Sequence, residues 1–154
     1  MSTFQKNSSR NRYEIAYLSD TIFSTLAKID HVIYKNKVYA MLFGEESDFK
    51  ATSHTECRLG NWYERGVGYE EFRIVPAYKE LSSPHATVHE IANVLVAECA
   101  KRDAMCAKEK VEKLVQELEH ASESVFQILD SMVEQKSKIM MNDARIELFE
   151  KKDK

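Results

Sequence analysis

The sequence predicts an all-α protein, an antiparallel four-helix bundle with a short helical segment carrying a cysteine. Three observations point there. Apolar residues recur at spacings of three and four over long stretches, a seven-residue repeat runs through the last third, and only four glycines and two prolines interrupt 154 residues. That length suits one domain and allows a real core without disulfide staples.

The elements follow in order. Residues 1–11, "MSTFQKNSSRN", are polar and read as a disordered leader ahead of a domain over residues 12–150. From about Arg12 to Leu42, Ile15, Leu18, Ile22, Leu26, Ile29 and Ile33 form one stripe of a long helix. Phe23, Ala27, His31, Tyr34 and Val38 form a second stripe about 100° around the helix, which sets His31 inside the apolar arc. "FGEESDFKATS" breaks the pattern with glycine and acids. The glycine- and aromatic-rich stretch after it reads as a loop, a short helix around Cys57 to Trp62, and another loop. Pro76 to Leu81 suits one or two helical turns. Ser83 then offers an N-cap with Pro84 at the first helical position, opening a helix to about Lys101. On it, His85, His89, Ala92 and Val96 share one stripe, and Val88, Ile91, Leu95 and Cys99 the next. A last helix from about Ala104 toward Phe149 carries Val111, Leu118, Val125, Met132, Ile139 and Ile146 every seven residues, with Leu114, Ala121 and Ile128 as partners. Gln135 and Asn142 then weaken that seam.

Composition excludes several classes of function. The net charge of −3 gives no electrostatic footprint for nucleic acid. No run of 18 apolar residues exists to span a membrane, and the polar N-terminus lacks the apolar region of a secretory signal. A cytoplasmic location is expected. Three cysteines, Cys57, Cys99 and Cys106, are an odd number, so at least one sulfur is free or bound to something other than cysteine. Cys99 and Cys106 read as small core or boundary residues.

Chemistry concentrates on "SSPHATVHEIANVL". Residues at i and i+4 share a helix face about 6 Å apart, so His85 and His89 can share one metal ion. "HEIAN" is not a zincin motif, because Asn93 stands where a second ligand is needed, and that hydrolytic chemistry is excluded. His31, in its apolar stripe, and Cys57, before "RLGNW" with Trp62 as a possible roof, are candidate companions. Zinc accepts thiolate and imidazole together in a tetrahedral shell; three His and one Cys would fill it and leave no room for a catalytic water. His54, three residues before Cys57, could compete as a ligand if that segment is helical, and otherwise lies exposed or beside the ligands. His120 falls on the polar side of the last helix. Asp30 points about 100° away from His31, toward solvent or another helix. Metal-bound histidines need an acceptor for the remaining ring N–H, which the sequence does not identify.

The ordered motifs "HVIY" (His31, Tyr34), "CRLGNW" (Cys57, Leu59, Gly60, Trp62) and "HATVH" (His85, His89), separated by 22 residues each time, resemble the chemoreceptor zinc-binding domain family. "LAKIDHVIYKNKVYAMLFG" and "SHTECRLGNWYERGVG" are similar to the versions found in soluble cytoplasmic chemoreceptors. The resemblance implies a zinc-binding four-helix bundle, generally dimeric, that regulates an attached chemotaxis or cyclic-di-GMP output module, with Zn2+ held by His31, Cys57, His85 and His89. It implies a non-enzymatic sensory role, with Cys57 as a redox switch for hypochlorous acid and related oxidants or as a gauge of zinc. No signalling hairpin or cyclase accompanies the motifs, so the chain reads as an excised piece or a stand-alone protein. A purely structural zinc in a dimerisation module, a metalloenzyme using Glu90 as base, and a simple coiled-coil scaffold are the competing readings.

Overall fold

The structure, a computed structural model, describes residues 3–44, 49–100 and 108–150, with side chains described over 7–44, 49–98 and 108–143. All regular structure among the described residues is helical. Helices α1 (Thr3–Leu42), α4 (Ser82–Ala100) and α5 (Lys108–Glu150) are long. Between α1 and α4 lie the short α2 (Arg58–Arg65), α3 (Val67–Phe72) and a 3-10 turn over Pro76–Glu80.

Side-chain pairs fix the orientation of α1 against α5. Tyr13 meets Ser137, Asp20 meets Lys136, Lys28 meets Asp130, and Lys35 meets Glu119, so the two helices run antiparallel. At the other end of α4, Glu98 pairs with Lys110 at the start of α5, which makes α4 and α5 antiparallel as well. The core between them comprises Ala27 and Val38 of α1, Val88, Ala92 and Leu95 of α4, and Leu118, Val125, Leu129 and Met132 of α5. These are the expected stripes of α4 and α5 and the second stripe of α1. Cys99 and Ile146 have side chains outside the described set, and Cys106 lies outside the described residues.

The structure differs from the sequence reading in four places. First, α1 begins at Thr3 and not near Arg12, so residues 3–11 continue the helix; no glycine or proline interrupts them, and Arg10 pairs with Glu14 one turn on. Second, the stretch after Trp62 is helical. Gly68, which reads as a breaker, is required by packing, because a Cβ there would come 2.5 Å from the Trp62 ring. Third, the weak seam at Gln135 is used differently: its side chain accepts a hydrogen bond from the Ala77 backbone N–H at 3.0 Å and anchors the 3-10 turn. Fourth, the other stripe of α1 faces outward, with Ile15, Leu18, Ile22, Leu26, Ile29 and Ile33 between 43% and 69% exposed.

One polar feature joins three elements. The Lys136 side chain, on a residue only 6% exposed, lies 3.0 Å from Asp20 of α1, pairs with Glu71 of α3, and sits 4.3 Å from the centre of the Phe72 ring. Removing the cation would leave the Asp20 carboxylate, whose side chain is only 13% exposed, without its partner. Lys136→Met is therefore expected to lower unfolding free energy by about 3 kcal/mol. Lys28→Met, whose partner Asp130 is well exposed, should change it by less than about 1 kcal/mol. Urea denaturation of both variants checks the contrast, and equal effects would contradict it.

Candidate metal centre

Three segments bring the candidate residues to one place. His31 lies on the buried face of α1, and His85 and His89 lie one turn apart on the buried face of α4. Cys57 is the N-cap of α2, in extended conformation (φ −71°, ψ 166°), with Sγ accepting a hydrogen bond from Gly60 N–H at 3.3 Å. The sulfur is thus aimed by the start of the helix it caps. Gly60 has a packing role of its own: a Cβ there would meet the His54 carbonyl oxygen at 1.9 Å. Further contacts set the turn before α2. Ser53 donates to Glu56 through its backbone N–H (3.0 Å) and hydroxyl (2.9 Å), and the Asn61 amide donates to the carbonyls of Glu56 and Cys57.

One donor atom from each of His31, Cys57, His85 and His89 lies within 4.8 Å of the other three. Cys57 Sγ is 3.3 Å from His85 Nε2; two donors across a tetrahedral zinc stand about 3.3–3.6 Å apart, given bonds of about 2.0–2.3 Å. The imidazole hydrogen bonds decide which nitrogen faces the centre. His31 Nδ1 lies 2.8 Å from the Ala27 carbonyl, and His89 Nδ1 lies 2.8 Å from the Thr52 carbonyl. A carbonyl only accepts, so both Nδ1 atoms carry the proton and both Nε2 atoms present a lone pair. Those two Nε2 atoms are buried without a hydrogen-bond partner. A cation supplies what such inward-facing lone pairs lack, and these donors fit a zinc ion.

Electrostatics prepares the imidazoles for that role and leaves the sulfur dependent on it. Burial, reinforced by His31 and His89, pushes the His85 pKa down to about 3. Burial also pushes His89 down to about 4, and lowers His31. All three are neutral near pH 7. The Cys57 thiol is raised by burial, which outweighs the hydrogen bonds from Gly60 and Leu59. A metal at this point would hold it as thiolate.

Other residues fall where their chemistry suits them. The Tyr34 ring packs 4.7 Å from the His89 ring, and its hydroxyl is raised to about 12 by burial. Trp62 does not roof the centre; it stacks on Phe23 at 4.3 Å and packs on Phe72 at 5.1 Å. Asp30 points at α2 and pairs with Arg58 at 3.2 Å, beside a cavity of about 210 Å³ that reaches Cys57 and His89. His54 is half-buried, its ring 5.8 Å from that of His85, outside the four-donor cluster. His120 is exposed. Sequence reasoning missed the N-cap role of Cys57 and both carbonyl acceptors. Ala27 could have been found, because it stands four residues before His31 on the same helix; Thr52 lies in irregular chain and carries no signal.

Residues 31–96 match the family model described as the chemoreceptor zinc-binding domain. The matched range ends within α4, so α5 lies beyond it. No curated protein and no solved structure matches the chain significantly.

The depressed histidines predict a pH dependence for the metal-free protein. In the unfolded chain His85 and His89 take up protons near pH 6.5, whereas the folded chain resists until about pH 3 and 4. Stability is then greatest above pH 6.5 and falls as pH drops toward 4. The melting temperature of chelator-treated protein is expected to fall between pH 7 and pH 4, and His85→Leu to make that fall shallower. Parallel curves for the two proteins would contradict the assignment.

Proposed function

Starting from a chain whose residues 31–96 match the model of the chemoreceptor zinc-binding domain, we propose that it is a zinc-dependent sensory module of cytoplasmic signal transduction, with His31, Cys57, His85 and His89 as the ligands. The domain's cofactor is Zn2+. The observation that carries this reading is the pair of partnerless Nε2 atoms, His31 and His89, converging with His85 Nε2 and the Cys57 sulfur. Four protein donors complete a tetrahedral shell, which favours regulation over catalysis. Bound zinc supplies a charge that holds Cys57 as thiolate and ties α2 to α1 and α4.

Cys57 is the oxidisable donor. Its thiolate attacks the chlorine of hypochlorous acid and expels hydroxide, giving a sulfenyl chloride; water then displaces chloride with loss of a proton, so that the sulfur, two electrons poorer, ends as sulfenic acid. A sulfenic acid is a poorer donor, so the start of α2 is freed from the two α4 histidines. Trp62, stacked on Phe23 and packed at a tilt against Phe72, links that movement to α1 and to the Lys136 cluster on α5. An attached chemotaxis or cyclic-di-GMP output module would read it. The cavity beside Asp30 and Arg58 gives a small oxidant a route to Cys57.

The same proposal includes a homodimer. Six apolar side chains, from Ile15 to Ile33, line about 27 Å of α1 and are covered by no described element. A second copy of the helix would bury them, each contributing about 1 kcal/mol or more. Leu18→Glu with Ile22→Glu is expected to give a monomer by sedimentation velocity with zinc content unchanged; a dimer that persists would place the interface elsewhere.

Native mass spectrometry tests the zinc reading. Wild type should carry one zinc per chain, and His85→Ala should carry markedly less under the same free-zinc buffer. With about one equivalent of hypochlorous acid, peptide mapping should find Cys57 modified before Cys99 or Cys106. Preferential modification of the other two would overturn the redox part and leave a structural zinc.

A further inference from the structure

His54 stands apart from the four donors yet is placed to replace one of them. It precedes Cys57 by three residues in a turn whose backbone is held from both sides. The His54 carbonyl abuts Gly60, where there is no room for a Cβ, and it lies 3.4 Å from Cys57 Sγ. The His54 peptide therefore keeps its position, and the ring can be re-aimed only by rotation about its own side-chain torsions. That ring is half-buried, perpendicular to the His85 ring at 5.8 Å, and joined by no hydrogen bond to the described residues.

We propose that His54 is a reserve fourth ligand: when the Cys57 sulfur leaves the metal, the His54 imidazole takes its place. The proposal rests on the four-ligand reading above and adds a state to it. Zinc accepts imidazole in the thiolate position, since both donors suit a borderline-soft ion. The exchange replaces an anionic donor with a neutral one, so the four-imidazole form holds zinc less tightly than the thiolate form. Loss of the sulfur then weakens the centre without emptying it, and the change is reversible when a thiolate returns. Asp30, the other metal-binding side chain beside the cavity, is paired with Arg58 at 3.2 Å, whereas the His54 ring is committed to no hydrogen bond or ion pair among the described residues.

Cobalt and zinc binding to four purified proteins distinguish the possibilities: wild type, His54→Ala, Cys57→Ala and the Cys57→Ala/His54→Ala double variant. Wild type loaded with Co2+ should show a near-ultraviolet sulfur-to-cobalt band and strong visible bands of a tetrahedral ion; absence of the sulfur band would refute the four-ligand reading itself. His54→Ala should match wild type in spectrum and in zinc affinity within about twofold. Cys57→Ala should lose the sulfur band, keep the strong visible bands, and bind zinc more weakly. The double variant should lose those visible bands and bind zinc at least about tenfold more weakly than Cys57→Ala. Indistinguishable spectra and affinities for Cys57→Ala and the double variant would overturn the reserve role. Should Cys57→Ala fail to fold by circular dichroism, zinc-loaded wild type and His54→Ala are treated with iodoacetamide, and zinc release is measured with an indicator per Cys57 alkylated. Slower or smaller release from wild type supports the exchange, and equal release from both overturns it.

Discussion

The burial of three neutral imidazoles with their lone pairs turned inward is the constraint from which the rest of the arrangement follows. His31, His85 and His89 are each no more than 3% exposed, and two of them commit their Nδ1 protons to the Ala27 and Thr52 carbonyls. A core does not bury acceptors this way without a partner, because each unmet polar group costs about 1–3 kcal/mol. A divalent ion at the meeting point would turn that cost into a clamp between α1 and α4, and the Cys57 sulfur would extend the clamp to α2. The placement of Cys57 as the N-cap of α2 matters for the same reason: the sulfur cannot shift without disturbing the first turn of that helix.

From α2 the packing leads away from the metal toward the long helices. Trp62 lies between Phe23 of α1 and Phe72 of α3, and Phe72 lies under the Lys136 side chain that holds Asp20 and Glu71 together. The Tyr78 hydroxyl donates to the Tyr63 carbonyl at 2.6 Å and the two rings stack at 4.3 Å, so the end of α2 is also tied to the 3-10 turn before α4. A short helix whose N-cap sulfur stands at the candidate metal centre and whose length is held by aromatic packing would convert a change at that sulfur into a displacement of larger elements. The outward stripe of α1 lies on the helix that carries His31, so a partner docked there would feel the same change.

Much of this was legible in the sequence, and what was not has physical causes. Periodicity located the core faces of α4 and α5 because packing and the helical repeat agree there. It could not rank the two stripes of α1, since Ile22 and Leu26 are as apolar as Ala27 and Val38; only the position of α5 decides which stripe is inside. The motif residues His31, Cys57, His85 and His89 could be named because their spacing on helices and the resemblance to a zinc-binding family point to the same four. The turn chemistry was hidden: Gly68 looks like a helix breaker until the Trp62 ring is seen against it, and a cysteine is an uncommon N-cap. Lys136 could not have been picked out as buried, because its partners come from α1 and α3, more than sixty residues away in sequence.

The central claim is that one sulfur and three imidazole nitrogens hold a single zinc ion. X-ray absorption at the zinc edge of the purified, zinc-loaded protein tests it most directly. The account predicts a four-coordinate shell fitted by three nitrogens at about 2.0–2.1 Å and one sulfur at about 2.3 Å. A shell of nitrogen and oxygen alone, or one with five or six donors, would contradict it.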